Sequence, residues 1–280
     1  MKTKIHELKF INKIDVSKTI KHINKVRCFS IALVLIATFF TSCSEHGFEA
    51  NEVSEFVIIP DENFEQALID LGFDTNGLNG NILRTDAETV TTLDIINKNI
   101  SSLVGIEGFT NLMYLYSDEN NLTTLDISQN NLLVEVGFND NQLTNIDVSK
   151  NTELQFLYCS KNNLTSLDVS NNTLLKTLHC FDNQITDIDL SNNTDLRSLS
   201  ISDNNLTAID VSQNIMLREV ICNNNELTSF NIKNGFNEDI IFFGAINNPN
   251  LTCIEVDNPN YSNFQWEHID SQATFLVNCN

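Results

Sequence analysis

The sequence predicts an α/β repeat solenoid with a short parallel sheet on its concave side, a mostly non-helical convex side and a helical N-terminal cap. Three observations predict it. Apolar residues repeat with a 21-residue period from Leu112 through Leu133, Leu154, Leu175, Leu196 and Leu217, without insertion or deletion. The ninth place of each period is always Asn: Asn120, Asn141, Asn162, Asn183, Asn204 and Asn225. The second half of a period reads Leu-Asp-Val-Ser-x-Asn, as in Leu125 to Asn130 and Leu167 to Asn172. A period of this length is one supersecondary unit that cannot bury its apolar face alone, so neighbouring units must stack.

Residues 1–42 read as a signal peptide. A basic stretch from Lys2 to Arg27 precedes the twelve apolar residues Phe29 to Phe40. That run is shorter than the ~20 residues that cross a bilayer and suits a cleaved leader. Thr41-Ser42-Cys43 closes it. Small residues before a Cys at this point resemble a bacterial lipobox, which implies a diacylglycerol anchor on Cys43. The alternatives are plain secretion and an uncleaved anchor. Removal of the leader sharpens the charge imbalance, because it holds eight of the sixteen Lys and Arg but only two of the 37 acids. So acidic a chain repels nucleic-acid backbones and anionic lipid and favours cations or basic partners. The membrane is then reached through the lipid anchor only, at the outer membrane or cell surface. Residues 43–54 form a linker.

Residues 55–89 form the N-terminal cap. Asp61 follows Pro60 as a helix N-cap, Phe64, Ala67, Leu68 and Leu71 fall on one face, and Gly72 stops the helix. The following Asp74, Asn76, Asn79 and Asp86 alternate oxygen side chains around Gly80 and Ile82. The loop resembles an EF-hand calcium site, which implies a weak extracellular calcium ion held by those four residues. The alternative is an Asn/Gly turn. No cofactor other than calcium is expected.

Residues 90–237 carry the repeats. Val90, Leu93, Ile95 and Ile100 open a first coil of 22 residues. In the regular coils the fourth place holds Leu115, Val136, Leu157, Leu178, Leu199 and Val220, and the eleventh holds Leu122, Leu143, Leu164, Ile185, Leu206 and Leu227. This pattern resembles the leucine-rich-repeat signature LxxLxLxxNxL. A strand over places three to seven would pair in parallel with its copy ~4.8 Å away. At the ninth place an Asn amide can satisfy backbone groups stranded inside a turn. The convex side has room for an extended segment and a turn, not a full helix. Its Asp126, Asp147, Asp168, Asp189 and Asp210 would form a charged row, relieved by local bonds to the following Ser. The first coil resembles that of internalin-like and other bacterial secreted repeat proteins.

Residues 238–280 hold the last repeat and the C-terminal cap, with an ambiguous strand register after Ile240. The stretch resembles the tail of Asn-rich repeat lipoproteins of Bacteroidetes-type bacteria, which implies display outside the cytoplasm and a binding or structural role. Cys253 and Cys279 bracket this terminal unit and are expected to form a disulfide in an oxidising compartment. Cys159, Cys180 and Cys222 share the sixth place, which faces the core, and are expected as buried free thiols. A metal or redox pair from Cys159 and Cys180 is the alternative.

Side chains alternate along a strand, so places three, five and seven face the open concave side. Six rings fall there within four coils: Tyr114, Tyr116, Phe156, Tyr158, His179 and Phe181. Exposed rings on a rigid sheet suit a protein or glycan partner. The alternative is cross-strand stacking in a structural envelope protein without a specific ligand. An enzyme is not expected. The chain has no phosphate-binding Gly loop, HExxH or GxSxG, and a secreted hydrolase built on His179 and Ser200 is the remote alternative. A monomer is expected.

Overall fold

The computed structural model describes residues 54–279. The leader, the Cys43 anchor and almost all of the 43–54 linker lie outside the described residues. The chain opens with strand β1 (Phe56–Ile58) and helix α1 (Glu62–Asp70), followed by β2 (Asn81–Leu83), which pairs antiparallel with β1. Asp61 caps α1 as its sequence position predicts. Its Oδ1 accepts the N–H groups of Asn63 and Phe64, both at 3.0 Å. Its Oδ2 accepts those of Ser101 and Ser102 at 2.8 and 3.0 Å. One carboxylate thus starts the helix and ties it to the first coil. Phe64, Ala67 and Leu68 are buried, but Leu71 is 42% exposed. The helix ends one residue before Leu71, and the left-handed Gly72 (φ +78°) turns the chain so that Phe73 packs on the core instead.

After a short helix α2 (Arg84–Ala87), the coils lay down β3 (Thr92–Asp94), β4 (Tyr114–Tyr116), β5 (Glu135–Gly137), β6 (Phe156–Tyr158), β7 (Thr177–His179), β8 (Ser198–Ser200), β9 (Ala208–Asp210), β10 (Glu219–Ile221), β11 (Ser229–Asn231), β12 (Phe242–Gly244) and β13 (Cys253–Glu255), and the chain closes with α3 (Pro259–Gln265) and β14 (Thr274–Leu276). The concave sheet is parallel throughout, in the order β3-β4-β5-β6-β7-β8-β10-β12, with equivalent places in register. Its strands span three residues, not the five expected, although backbone bonds such as Ser117 N–H to Gly137 and Glu119 N–H to Asn139 continue beyond them until the chain turns off at the eighth place. There Asn97, Glu119, Asp140, Lys161, Asp182, Asp203, Asn224 and Asn247 all take φ between +53° and +58°. Short polar side chains, Asn and Asp above all, tolerate that left-handed turn best, which accounts for six of the eight occupants.

The turn delivers the ninth-place Asn into the coil interior. Asn162 Nδ2 donates to the carbonyls of Phe138, Cys159 and Ser160, and its Oδ1 accepts the Leu143 N–H at 3.0 Å. The same pattern recurs in each coil and ends on Asn248, whose Oδ1 accepts the Leu227 N–H. A second ladder, whose role the sequence reading missed, runs through the fully buried Asn130, Asn151, Asn172, Asn193 and Asn214. Each donates both amide protons to carbonyls of the preceding coil, as Asn172 does to Val148 and Asn151 at 3.0 and 2.8 Å. Their Oδ1 atoms have no partner.

The convex side is built of turns, as expected. The Asp row survives its own repulsion because each carboxylate accepts the N–H of the Ser two residues on, at 2.8 to 3.0 Å. That Ser's hydroxyl and N–H hold the carboxyls of Asp147, Asp168 and Asp189 below the usual range. From the fifth regular coil the convex side becomes a second parallel sheet, β9-β11-β13-β14. Between the two sheets Phe243 stacks on Trp266 at 4.5 Å and on Phe230 at 5.4 Å, and Phe275 meets Trp266 edge-on. This aromatic plug closes the open end of the core. Cys253 and Cys279 form the expected disulfide, with Cα atoms 5.9 Å apart. The register that was ambiguous from sequence is resolved by a two-residue lengthening around the Gly235 turn, which shifts the last coil to begin at Ile240.

Candidate binding face

The three-residue strands bury their middle side chain and leave the flanking two half-exposed on the concave side. Tyr114 and Tyr116 stand on β4, Phe156 and Tyr158 on β6, His179 on β7, and Phe181 two residues beyond it. The sheet does not gather all six rings into one cluster. β5 lies between β4 and β6 and presents Glu135 and the bare Gly137. Tyr158 and His179 meet as expected, edge to face at 5.4 Å. Burial raises the pKa of the Tyr116 and Tyr158 hydroxyls, with the Glu135 carboxylate adding to it.

The seventh place carries a row of acceptors that the sequence reading passed over. Asp118 Oδ1 accepts the Asn139 N–H at 2.9 Å and its side-chain amide. Asn139 Oδ1 accepts the Ser160 N–H at 2.8 Å. Farther along, Ser202 Oγ accepts the Asn223 N–H at 3.1 Å, and Asn223 Oδ1 that of Ile246 at 2.9 Å. The row breaks between Ser160 and Phe181. Ser160 is fully buried and its Oγ has no partner. The break opens into a hollow of about 370 Å³ walled by Tyr158, His179 and Phe181, with Asp118, Asn139 and Ser160 also lining it. Lys161 at its rim reaches Asp140 at 3.6 Å. Burial raises the Asp118 carboxyl above its ordinary pKa, although the two bonds from Asn139 oppose the shift.

His179 pairs in register with Ser200, but its Nε2 lies 3.1 Å from Ser198 Oγ. Ser198 Oγ in turn donates to Glu219 at 3.0 Å. The single hydroxyl proton is therefore committed to the carboxylate, and His179 must give its Nε2–H to the serine oxygen. A nucleophilic serine needs the opposite polarity, with the imidazole accepting. Burial lowers the His179 pKa against the pull of Glu219, so the neutral ring is favoured. The chain Tyr158–His179–Ser198–Glu219 crosses four coils and orients the ring rather than activating a hydroxyl. Sequence reading missed the acid because Glu219 lies two coils away, at the third place.

The remaining predicted residues sit elsewhere. Cys159, Cys180 and Cys222 are buried free thiols in the core. The neighbouring Cys180 thiol and burial both raise the Cys159 pKa, and burial does the same to Cys222, so Cys159 and Cys222 stay protonated. In the N-terminal loop, Asp74 Oδ1 accepts the Asn76 N–H, Asn76 donates to Asn81, Asn79 Oδ1 accepts the Asn81 N–H, and Asp86 accepts the Thr75 hydroxyl. The loop closes around Glu65, whose buried Oε1 gathers the N–H groups of Asn79, Gly80 and Asn81 at 2.6 to 3.0 Å. Asp74 Oδ2 is buried without a partner, and burial raises that carboxyl's pKa, with Glu65 and Asp86 adding to it. Among the described residues no three His, Cys, Asp or Glu side chains are grouped to hold a metal, and no helix is long and apolar enough to cross a membrane.

Residues 173–214 match the family model for leucine-rich repeats in two copies. Among solved structures the chain is similar to internalin C2 of Listeria monocytogenes, with 20% identity over 74% of this chain and 100% of that one, at a TM-score of 0.50. It is also similar to the functional domain of InlJ from the same organism, described as including a cysteine ladder, with 23% identity over 80% of this chain and 71% of that one, at a TM-score of 0.43. No curated protein matches the chain. The parallel-strand solenoid is a leucine-rich-repeat fold.

Proposed function

We propose that this leucine-rich-repeat protein is a non-enzymatic recognition protein that works outside the cytoplasm and holds a protein partner on its concave face. The observation that carries the reading is the half-exposed ring cluster of Tyr158, His179 and Phe181 around a hollow on the concave sheet. A packed sheet with parallel, in-register strands is rigid, so rings fixed on it are ordered before contact and lose little entropy on binding. Rigid aromatic side chains supply large contact area and recur among the residues that dominate binding energy. The leader and the lipobox-like Thr41-Ser42-Cys43 support an extracytoplasmic location, with Cys43 as the anchor. Display of the acidic solenoid on a lipid tether would leave its concave face free for a partner.

The test is capture of a binding partner by wild-type protein and by a variant with Tyr116, Tyr158 and Phe181 all changed to Ala. Because these side chains are only half-buried, the variant is expected to keep its fold and lose at least tenfold in affinity, about 1.4 kcal/mol or more. Unchanged capture by the folded variant would remove the concave face from consideration and place the partner on another surface.

A further inference from the structure

We propose that the hollow between β4 and β7 receives an arginine side chain from a basic segment of the partner, with the guanidinium lying between the rings and over Asp118 and Ser160. The inference rests on the concave-face reading above and narrows it to one ligand chemistry.

Two oxygens of the hollow lack a protein partner, Asp118 Oδ2 and Ser160 Oγ. Asp118 spends Oδ1 on Asn139 twice. Its Oδ2 lies over Gly137, close enough that a Cβ on that residue would come within 2.7 Å of it. Gly137 is thus the residue type that leaves room for the carboxylate on the sheet. Ser160 Oγ is the second free oxygen. Its equivalent in a later coil, Ser202, accepts the next coil's N–H, whereas Ser160 receives no such bond from Phe181. A buried hydroxyl with no partner loses its hydration without a bond to replace it. A ligand donor at this point would offset that cost.

The walls and the field fit a planar cation. Tyr158 and Phe181 line the hollow, and a guanidinium within ~6 Å of a ring face is attracted to it. Glu119 and Asp140 add negative charge at the rim, where Lys161 is the one base and is already paired with Asp140. The chain as a whole has a formal charge of −21, which steers basic segments toward it. Arginine brings five donors in a flat fork, which can meet the free Asp118 and Ser160 oxygens together.

A labelled hexapeptide of Gly and Ser with one central arginine is the probe, compared with its lysine and citrulline counterparts by fluorescence anisotropy at ~0.15 M salt. The arginine peptide is expected to bind wild-type protein at least tenfold more tightly than the citrulline peptide and several-fold more tightly than the lysine peptide. Asp118→Asn and Phe181→Ala are each expected to weaken it about tenfold. Asp168→Asn removes the same charge from the convex row and is expected to change nothing. Equal binding of arginine and citrulline peptides overturns the proposal, and this arm needs no variant to fold. An equal effect of Asp118→Asn and Asp168→Asn also overturns it, since bulk charge would then suffice. Loss of partner capture in the triple ring variant, together with no preference for arginine, would sink this proposal and leave the concave-face reading standing. If instead the peptide behaves as expected but the ring variant captures partner normally, the concave-face reading fails and the pocket chemistry stands.

Discussion

Asn162→Ala is expected to lower the unfolding free energy by about 3 kcal/mol, and Asn162→Asp by more than that. The alanine variant leaves the buried Leu143 N–H without its acceptor and strips one donor from three carbonyls. Those carbonyls keep other partners, so the stranded N–H and the lost amide packing dominate the cost. The aspartate variant has nearly the same shape. It can still accept from Leu143, yet it places an oxygen where three carbonyl oxygens converge, and the charge would have to be neutralised by a raised pKa. The order of the two variants in urea denaturation is therefore diagnostic. If alanine proved the worse, shape and not donor count would govern the ladder. Asn172→Ala provides the contrast. Its Oδ1 is unpaired and the carbonyls it serves are also bonded by backbone, so about 1–2 kcal/mol is expected there.

Gly105→Ala is expected to cost about 3 kcal/mol or more and to undock the N-terminal cap. Gly105 sits at φ +103°, a conformation that L side chains rarely adopt, and its added Cβ would run into the Ile58 carbonyl oxygen and the Ile59 side chain. The backbone of β1 cannot yield without disturbing its pairing with β2. An undocked cap would expose Phe64, Leu68 and Ile106 to water, so hydrogen exchange should rise first in α1 and the first coil. Unaltered protection of α1 in the variant would show that the cap is held by Asp61 alone.

How much of this was legible in the sequence depends on where each signal sits. The coil period, the buried fourth-place residues and the ninth-place Asn ladder were readable because one residue type repeats at one spacing. The cap helix was readable from Asp61 and Gly72, whereas Leu71 was misplaced because the face pattern does not report where the last turn stops. The second Asn ladder was visible as a repeated letter, but nothing local distinguishes an inward amide from a surface turn. Gly105 looked like an ordinary loop glycine, since its restriction comes from a strand some 47 residues earlier in the chain. The rings were legible one by one. The hollow beside them was not, because it depends on Gly137, Asp118 and Ser160 failing to fill or pair across three coils.

Both Asn ladders point one way. Each amide reaches toward the N-terminus, closing bonds in the coil before it: Asn141 serves Ser117 and Leu122, and Asn151 serves Ile127 and Asn130. A growing chain emerges from the ribosome N-terminus first, so each new coil seals its predecessor and leaves itself unsealed until its successor arrives. Among the described residues the ladder ends on Asn248, which seals the coil before it, while Asp270 and Gln272 bond the backbone of Asn247, Asn248 and Pro249 in turn. The same polarity makes the coil a modular unit of inheritance. Duplicating or excising a whole 21-residue period leaves every amide facing a complete predecessor, and the two-residue lengthening around Gly235 keeps the same contacts through Asn248.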